Sequence, residues 1–222
     1  MGEQHRLDPD GVLSDGVSYE SGESHLHLYA EAREQLKLFK EPIFLHARNP
    51  HEHIFLAALD GTGNDKIHDP DHETNVGLIS DQIEALNLQG DTRVVSRYVS
   101  GAGTQQHRPI ARVWDGVRGG SVDERAEDMY KQLIEQAKRW RREDPNAVIS
   151  VASIGFSRGG DEVALFTRLL EERGIQDPAG AHYTYDSHHQ IKHVEYTQPP
   201  LVPPHQVAQA VALLDPVGTG AA

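Results

Sequence analysis

The sequence contains no cysteine among its 222 residues. Disulfide bonds, a thiolate nucleophile and cysteine-ligated metal sites are therefore excluded. Long hydrophobic runs are also missing, since no stretch approaches the roughly 18 apolar residues that a membrane-spanning helix needs. The N-terminal stretch MGEQHRLDPDGVLSDG has neither a basic start nor an apolar run, so it predicts no secretory signal peptide. An exported form would need a route that does not use such a signal.

Basic residues are outnumbered by acidic ones. The chain has 21 lysines and arginines against 34 aspartates and glutamates, a formal net charge of -13. A chain of this charge repels phosphate backbones and anionic lipid surfaces at long range. Nucleic acid is therefore excluded as a partner, and a lipid substrate would have to be bound by an apolar surface. With 37% hydrophobic residues, the chain can form one domain with a real core.

Residues 1–24 are rich in Asp, Gly, Ser and Glu and predict a mobile N-terminal arm before a folded domain over residues 25–222. Three short apolar or β-branched runs predict strands: Ile54–Leu59, Thr92–Gly101 and Ala147–Gly155. Helical periodicity marks LYAEAREQLKLF, ETNVGLISDQIEALNLQGD, SVDERAEDMYKQLIEQAKRWRRED and GDEVALFTRLLEERG. Residues typical of helix ends flank these segments: Thr74, Gly90, a Ser121/Glu124 capping box and Gly174. Strands alternating with helices predict an α/β fold with a mostly parallel sheet.

The pattern loses its period over residues 175–205. The stretch AHYTYDSHHQIKHVEYTQPPLVPP holds several histidines and two Pro-Pro pairs, and we predict an irregular lid, a loop or an irregular strand there. QVAQAVALLDPVG then returns to an apolar, strand-like run that ends at Asp215.

The segment Gly155–Gly159 fits the pattern Gly-x-Ser-x-Gly. A buried strand is predicted directly before it and a helix directly after it, which is the context of a nucleophile elbow. We therefore predict Ser157 as the nucleophile of an acyl transfer. The next backbone N–H, that of Arg158, lies at a helix N-terminus and can stabilise an oxyanion. The alternative is a glycine-rich turn in which the serine caps the helix.

A second turn, LDGTGND, also follows a predicted buried strand. In a serine hydrolase the second oxyanion donor comes from such a loop, so Gly61 and Thr62 are the candidates. For Asp60 the alternative is turn formation and capping, and Ala58 excludes an Asp-x-Asp-Gly-Thr phosphatase motif. GFSRGG, GTGNDK and GAGTQQ complete neither a P-loop nor a dinucleotide fingerprint, and we predict no cofactor.

The third candidate is Asp215, which ends an apolar run after the serine in chain order, as the acid of an α/β-hydrolase does. A strand-end Asx turn before Pro216 explains it equally well. The expected histidine after the acid is absent, because none follows Asp215. Five histidines lie between serine and acid instead: His182, His188, His189, His193 and His205. Some of them could bind a metal with Asp186, but an exposed loop explains them better, and we predict no metal site.

Taken together, FLAALDGTGND, ETNV, YVSGAGT, SIGFSRGGDEVALF and ALLDPVGTG resemble the α/β-hydrolase domain of a family that includes bacterial type VI secretion phospholipase effectors. The resemblance covers roughly residues 50–220, with Gly160 where alanine is usual. It implies a serine hydrolase that cleaves phospholipid acyl esters through Ser157, Asp215 and a histidine. It also implies an antibacterial toxin that is blocked by a cognate immunity protein.

The resemblance implies two further expectations. The family's histidine lies on a later segment that this chain lacks, so we expect a hydrolase domain that is incomplete at its C-terminus. The alternative function is accordingly a catalytically incomplete hydrolase-fold fragment or a binding protein. An effector of this kind would be cytoplasmic in the producer and would reach the periplasm of a target cell without a signal peptide.

Overall fold

The computed structural model describes residues 23–38, 43–101, 122–185 and 191–217. The chain divides into two units, Met1–Pro42 and Ile43–Ala222, and each is described by itself. The first unit contains helix α1, Glu23–Leu38, so a helix begins inside the segment that we predicted as an arm. The boundary between the two units lies after Pro42, and a domain start at residue 25 stays a prediction.

The second unit contains three α-helices and six strands in its described residues. In chain order they are β1 (Glu52–Leu59), α2 (Asn75–Leu88), β2 (Val94–Val99), α3 (Val122–Glu143), β3 (Val148–Phe156), α4 (Arg158–Arg173), β4 (Ala181–Tyr185), β5 (Ile191–Tyr196) and β6 (Ala208–Leu214). Four of the strands form one sheet in the order β2-β1-β3-β6, and every neighbouring pair is parallel. The structure therefore confirms the α/β fold with a mostly parallel sheet.

The sheet is covered on both faces, as strands joined by helical crossovers require. Helices α3 and α4 bury one face, and the largest members of that core are Phe55, Leu59, Met129, Tyr130, Leu133, Ile134, Phe166 and Leu170. A smaller cluster of Leu56, Ala58, Val76 and Ile154 forms on the face that α2 contacts. Thr74 caps α2 as predicted, because its hydroxyl oxygen accepts hydrogen bonds from the N–H groups of Val76 and Gly77. Ser121, half of the predicted capping box, lies outside the described residues.

Residues 175–205 are more regular than the sequence pattern indicates. They contain an antiparallel hairpin of β4 and β5 and a 3-10 turn at Pro178–Gly180. An isolated bridge joins Ile175 to Val202. The hairpin was missed because both of its strands are largely exposed, so histidine, threonine and lysine occupy positions where a buried strand would show an apolar run. Residues 186–190, with Asp186, His188 and His189, lie outside the described residues.

His53 stacks on the Trp140 ring near the start of β1, with ring centroids 4.8 Å apart and an interplanar angle of 27°. Burial lowers the pKa of His53, while Asp144 and Glu143 oppose that shift. A histidine whose pKa is lowered by folding binds fewer protons in the folded state than in the unfolded one. Its effect on stability is therefore absent well above pH 6.5 and becomes destabilising as the pH falls below that value.

We expect His53→Phe to flatten the loss of stability between about pH 7.5 and pH 5, because it removes a group that resists protonation in the folded state. Urea unfolding followed by circular dichroism at several pH values measures this slope. His72→Gln is the matched control, since a hydrogen bond with Asp69 raises the pKa of His72. That raised pKa stabilises the fold below pH 6.5, so the control should steepen the slope slightly. An unchanged slope in His53→Phe would contradict the prediction.

Candidate active site

The four parallel strands end together at one edge of the sheet. Leu59 of β1 is level with Val99 of β2 and Gly155 of β3, and Phe156 of β3 is level with Leu214 of β6. Each strand is followed at once by a residue of a candidate loop: Asp60, Ser100, Ser157 and Asp215. In open parallel sheets this carboxyl edge is where ligands bind. The four loops are therefore the ones that can build a site.

Ser157 stands on the turn from β3 into α4 with φ 52° and ψ -120°. This conformation is strained for a residue with a Cβ atom and costs on the order of 1–3 kcal/mol. The glycines on either side permit the turn, because a Cβ at Gly155 would lie 2.3 Å from the carbonyl oxygen of Gly159. The Ser157 side chain makes no capping hydrogen bond to α4. The alternative of a capping serine is therefore wrong.

Asp215 follows β6 on the strand next to the serine. The Ser157 N–H donates to the Leu214 carbonyl at 2.9 Å, and the Val217 N–H donates to the Ser157 carbonyl at 3.2 Å. The backbone on both sides of Asp215 is thus tied to the elbow. Asp215 is exposed, and its φ of 44° also lies in the left-handed region. The structure therefore places this carboxylate at the same edge as Ser157 and accessible to solvent.

The loop after β1 lies directly against the serine. A Cβ built on Gly61 would be 3.2 Å from Ser157 Cβ and 2.7 Å from the Phe156 ring, so only glycine fits there. The Gly61 N–H donates to the carboxylate of Asp60 at 2.8 Å. Thr62 is exposed, and no acceptor for its N–H lies among the described residues. Of the two predicted donors, the Thr62 N–H is therefore the one available to a ligand.

Arg158 is the first residue of α4, and the carbonyl of Ser157 accepts from the Gly160 N–H at 3.0 Å in the first helical turn. The first N–H groups of a helix have no partner within it, and the helix dipole makes this end favourable for negative charge. The Arg158 N–H thus has the position that an oxyanion donor needs next to the serine.

A buried ion pair joins α3 to α4 behind the site. Arg125 Nε donates to Glu162 Oε1 at 2.6 Å, and Arg125 Nη2 donates to the Ser100 carbonyl at 2.5 Å. The two side chains are 1% and 0% exposed. Burial raises the pKa of the Glu162 carboxyl, and the charge of Arg125 opposes that rise. The pair ties together α3, α4 and the end of β2. The ion pair was not predicted from the sequence, although a charged residue on each of two otherwise apolar helix faces could have indicated it.

None of the described histidines hydrogen-bonds the Ser157 hydroxyl. Four of them pair with carboxylates instead: His46 with Glu52, His51 with Asp144, His68 with Asp65 and His72 with Asp69. His205 pairs with Glu171 in the last turns of α4. At a rise of 1.5 Å per residue, Glu171 lies about 20 Å along the helix from Ser157. His182 and His193 are exposed on the hairpin. No three metal-binding side chains converge in the part of the chain that the structure describes.

A parallel sheet between helix layers, with a strained serine on the turn from strand to helix, defines an α/β-hydrolase-like domain. One protein-family model matches residues 54–210, and its description is "T6SS, Phospholipase effector Tle1-like, catalytic domain". The match spans well over half of the chain, and the chain belongs to this family. Gly61, Thr62, Ser157 and Arg158 lie inside the matched residues, whereas Asp215 follows them. The structure and the family thus confirm the resemblance that the sequence motifs indicated.

Two further comparisons add no relatives. Neither the search of curated proteins nor the search of solved structures finds a match. Among the described residues, no helix is both long enough and apolar enough to cross a membrane.

Proposed function

We propose that the chain is a serine esterase that hydrolyses acyl esters of phospholipids. One observation carries this proposal: Ser157 is held in a strained conformation, free of any capping bond, against Gly61 and at the N-terminus of α4. Backbone strain of this kind persists where the surrounding structure imposes it and is concentrated at functional sites. The family description, which names a phospholipase effector, supplies the substrate class.

In the first step Ser157 Oγ attacks the carbonyl carbon of the acyl ester and gives its proton to an imidazole. The N–H groups of Arg158 and Thr62 stabilise the negative oxygen of the tetrahedral intermediate. The bond from the carbonyl carbon to the glycerol oxygen then breaks, and the imidazolium returns the proton to the departing alcohol. Asp215 orients the imidazole in this scheme. We assign the imidazole to none of the described histidines.

In the second step water takes the place of the alcohol. The imidazole removes a proton from the water as its oxygen attacks the acyl-serine, and the fatty acid leaves when Ser157 Oγ recovers its proton. The products are one fatty acid and one lysophospholipid for each water consumed. No cofactor or metal takes part in these steps.

The family description also supports a biological setting for this chemistry. We propose that the protein is delivered by type VI secretion into the periplasm of a target cell, where it acts as an antibacterial toxin on membrane lipid. A cognate immunity protein in the producer would block it. Expression in a bacterial periplasm tests this setting. The wild-type chain should be toxic there, and the Ser157→Ala variant should not.

A second function is favoured by the histidine contacts. Because no described histidine touches Ser157, the chain is alternatively a hydrolase-fold protein that binds its ligand without turning it over. This alternative predicts that the wild-type chain and Ser157→Ala are equally inert towards esters while both are fully folded.

Labelling with a fluorophosphonate distinguishes the two functions. We expect the wild-type chain to be labelled at Ser157, as mapped by mass spectrometry, and to release fatty acid from phospholipid vesicles. Ser157→Ala should abolish labelling and lower ester turnover at least about a thousand-fold. The matched control is Ser153→Ala on the same strand, which removes a buried hydroxyl and should leave both signals intact. A folded wild-type chain that is neither labelled nor active would contradict the esterase and support the alternative.

Ser157→Gly gives a second, independent measurement. Glycine adopts positive φ at no steric cost, so this variant should gain about 1 kcal/mol of stability while losing all activity. Unfolding in urea measures the gain. A stability that falls in Ser157→Gly would show that the turn is not strained.

A further inference from the structure

The Asp60 side chain is a buried carboxylate without a cationic partner among its hydrogen bonds. It is 1% exposed and accepts hydrogen bonds from three groups in the described residues. The Tyr98 hydroxyl donates at 2.7 Å, the Thr74 hydroxyl at 2.9 Å, and the Gly61 N–H at 2.8 Å. A buried charge is tolerated only where several donors surround it. These donors come from β2, the N-terminus of α2 and the loop itself.

Each of the two hydroxyl donors is itself held in place. The Tyr98 oxygen accepts from the Lys66 N–H at 3.1 Å, so its single proton is directed to Asp60. The Thr74 oxygen accepts from the N–H groups that begin α2, and its proton is likewise directed to the carboxylate. Burial and the nearby carboxylate both raise the pKa of Tyr98, which keeps the phenol protonated. Tyr98 and Thr74 thus fix the Asp60 carboxylate from two sides, in addition to its contact with the Gly61 N–H.

The loop peptide beyond Asp60 is fixed as well. The Gly61 carbonyl accepts from the Asn64 N–H at 3.0 Å, and Gly101 packs so closely that a Cβ there would lie 1.5 Å from this carbonyl oxygen. In a trans peptide the carbonyl and the next N–H point in opposite directions. The Thr62 N–H therefore points away from the side where Gly101 and Asn64 lie. Asp60 holds the peptide before Gly61, and Gly101 holds the peptide after it.

We propose that Asp60 is a positioning residue, which turns the Gly61 N–H inward and thereby leaves the Thr62 N–H as the second oxyanion donor. The inference rests on the proposed esterase function and adds the residue that selects between two neighbouring donors. Asp60 touches neither substrate nor serine in this role and acts only through the loop backbone. Tyr98 and Thr74 support it from behind.

The first test is the rate of fluorophosphonate labelling and of ester turnover in Asp60→Asn and Tyr98→Phe. Losing one oxyanion donor lowers kcat by about 10²–10³-fold, and we expect a fall of about 10-fold to 100-fold when the donor is only misdirected. KM should stay within about two-fold, because the donor acts on the transition state. Tyr130→Phe is the matched control: the Tyr130 hydroxyl bonds the Gly174 carbonyl in the core, away from the site. It should lower stability without lowering kcat.

The second test does not depend on catalysis. In amide hydrogen exchange followed by NMR, the Gly61 N–H should be protected in the wild-type chain and the Thr62 N–H should exchange faster. Asp60→Asn should reduce the protection of Gly61. Equal exchange of the two amides in the wild-type chain, or unchanged kcat in a folded Asp60→Asn variant, would overturn the inference. A wild-type chain that is not labelled contradicts the esterase instead, and the exchange rates then decide whether Asp60 orients the loop.

Discussion

Replacing Arg125 by methionine should lower the free energy of unfolding by about 3–5 kcal/mol. The reason is that Arg125 and Glu162 are both fully buried and bonded to each other at 2.6 Å. Removing the guanidinium leaves the Glu162 carboxylate buried without its cation and removes one hydrogen bond to the Ser100 carbonyl. Urea unfolding at pH 7 measures the loss.

Two comparisons make this prediction specific. The exposed pair Arg168–Glu172 on α4 is 69% and 54% exposed, so Arg168→Met should cost less than about 1 kcal/mol. The double variant Arg125→Met/Glu162→Met replaces both charges with apolar groups and should be more stable than Arg125→Met alone. If Arg125→Met were no more costly than Arg168→Met, the buried pair would not hold α3 to α4.

The Arg125→Met loss should also depend on pH. Burial already raises the pKa of Glu162 above its ordinary value of 4.5 against the opposing charge of Arg125, and without that charge the pKa rises further. A carboxyl whose folded pKa is raised binds a proton that the unfolded chain releases above pH 4.5. The destabilisation should therefore be small at low pH and grow as the pH rises through that value. Repeating the unfolding between pH 4 and pH 7 measures this trend, and a loss independent of pH would contradict it.

Gly159→Ala should destabilise the protein by about 3 kcal/mol, the upper end of the cost of overpacking. A Cβ at this position would lie 2.2 Å from the Leu59 carbonyl oxygen and 2.8 Å from that of Asp60. Both obstacles are backbone atoms at the end of β1, so α4 would have to move off the sheet. Helix propensity alone predicts the opposite sign, because alanine favours a helix over glycine by about 1 kcal/mol. Thermal or urea unfolding of the variant gives the sign directly.

Gly90→Ala is the control for Gly159→Ala. Gly90 has φ +99° and no atom within 4 Å of an added Cβ, so the substitution tests backbone strain without a collision. We expect it to cost about 1–2 kcal/mol and to leave fluorophosphonate labelling unchanged. Gly159→Ala should lose labelling together with stability, because it displaces the Arg158 N–H. A Gly159→Ala variant as stable as the wild type would show that α4 does not pack on β1 as the structure has it.

The sheet edge that carries the candidate site was predictable from the sequence because its signals are local. Ser157 stands between glycines, after an apolar run and before a periodic helix, and these features lie within about 30 consecutive residues. The strands before Asp60 and Asp215 were recognised in the same way, with Ile54–Leu59 observed as Glu52–Leu59. Because parallel strands end at one edge, their following residues had to approach one another.

The hairpin at Ala181–Tyr185 and Ile191–Tyr196 is an element that such local patterns do not predict. Its strands have few buried side chains, so no hydrophobic period marks them, and only pairing between the two strands defines them. Backbone hydrogen bonding between two strands leaves no hydrophobic pattern in the sequence of either strand. A prediction from periodicity therefore describes such a segment as a loop.

The sequence by itself determined the α/β class, the place of Ser157 on a turn between strand and helix, and the family to which the chain belongs. The tertiary structure alone decided which loop amide is available to a ligand, because that depends on Asp60 meeting Tyr98 across 38 residues of chain. It also decided that Arg125 and Glu162, 37 residues apart, neutralise each other inside the core. Local patterns follow from the periods of helices and strands, whereas these contacts depend on how the elements pack.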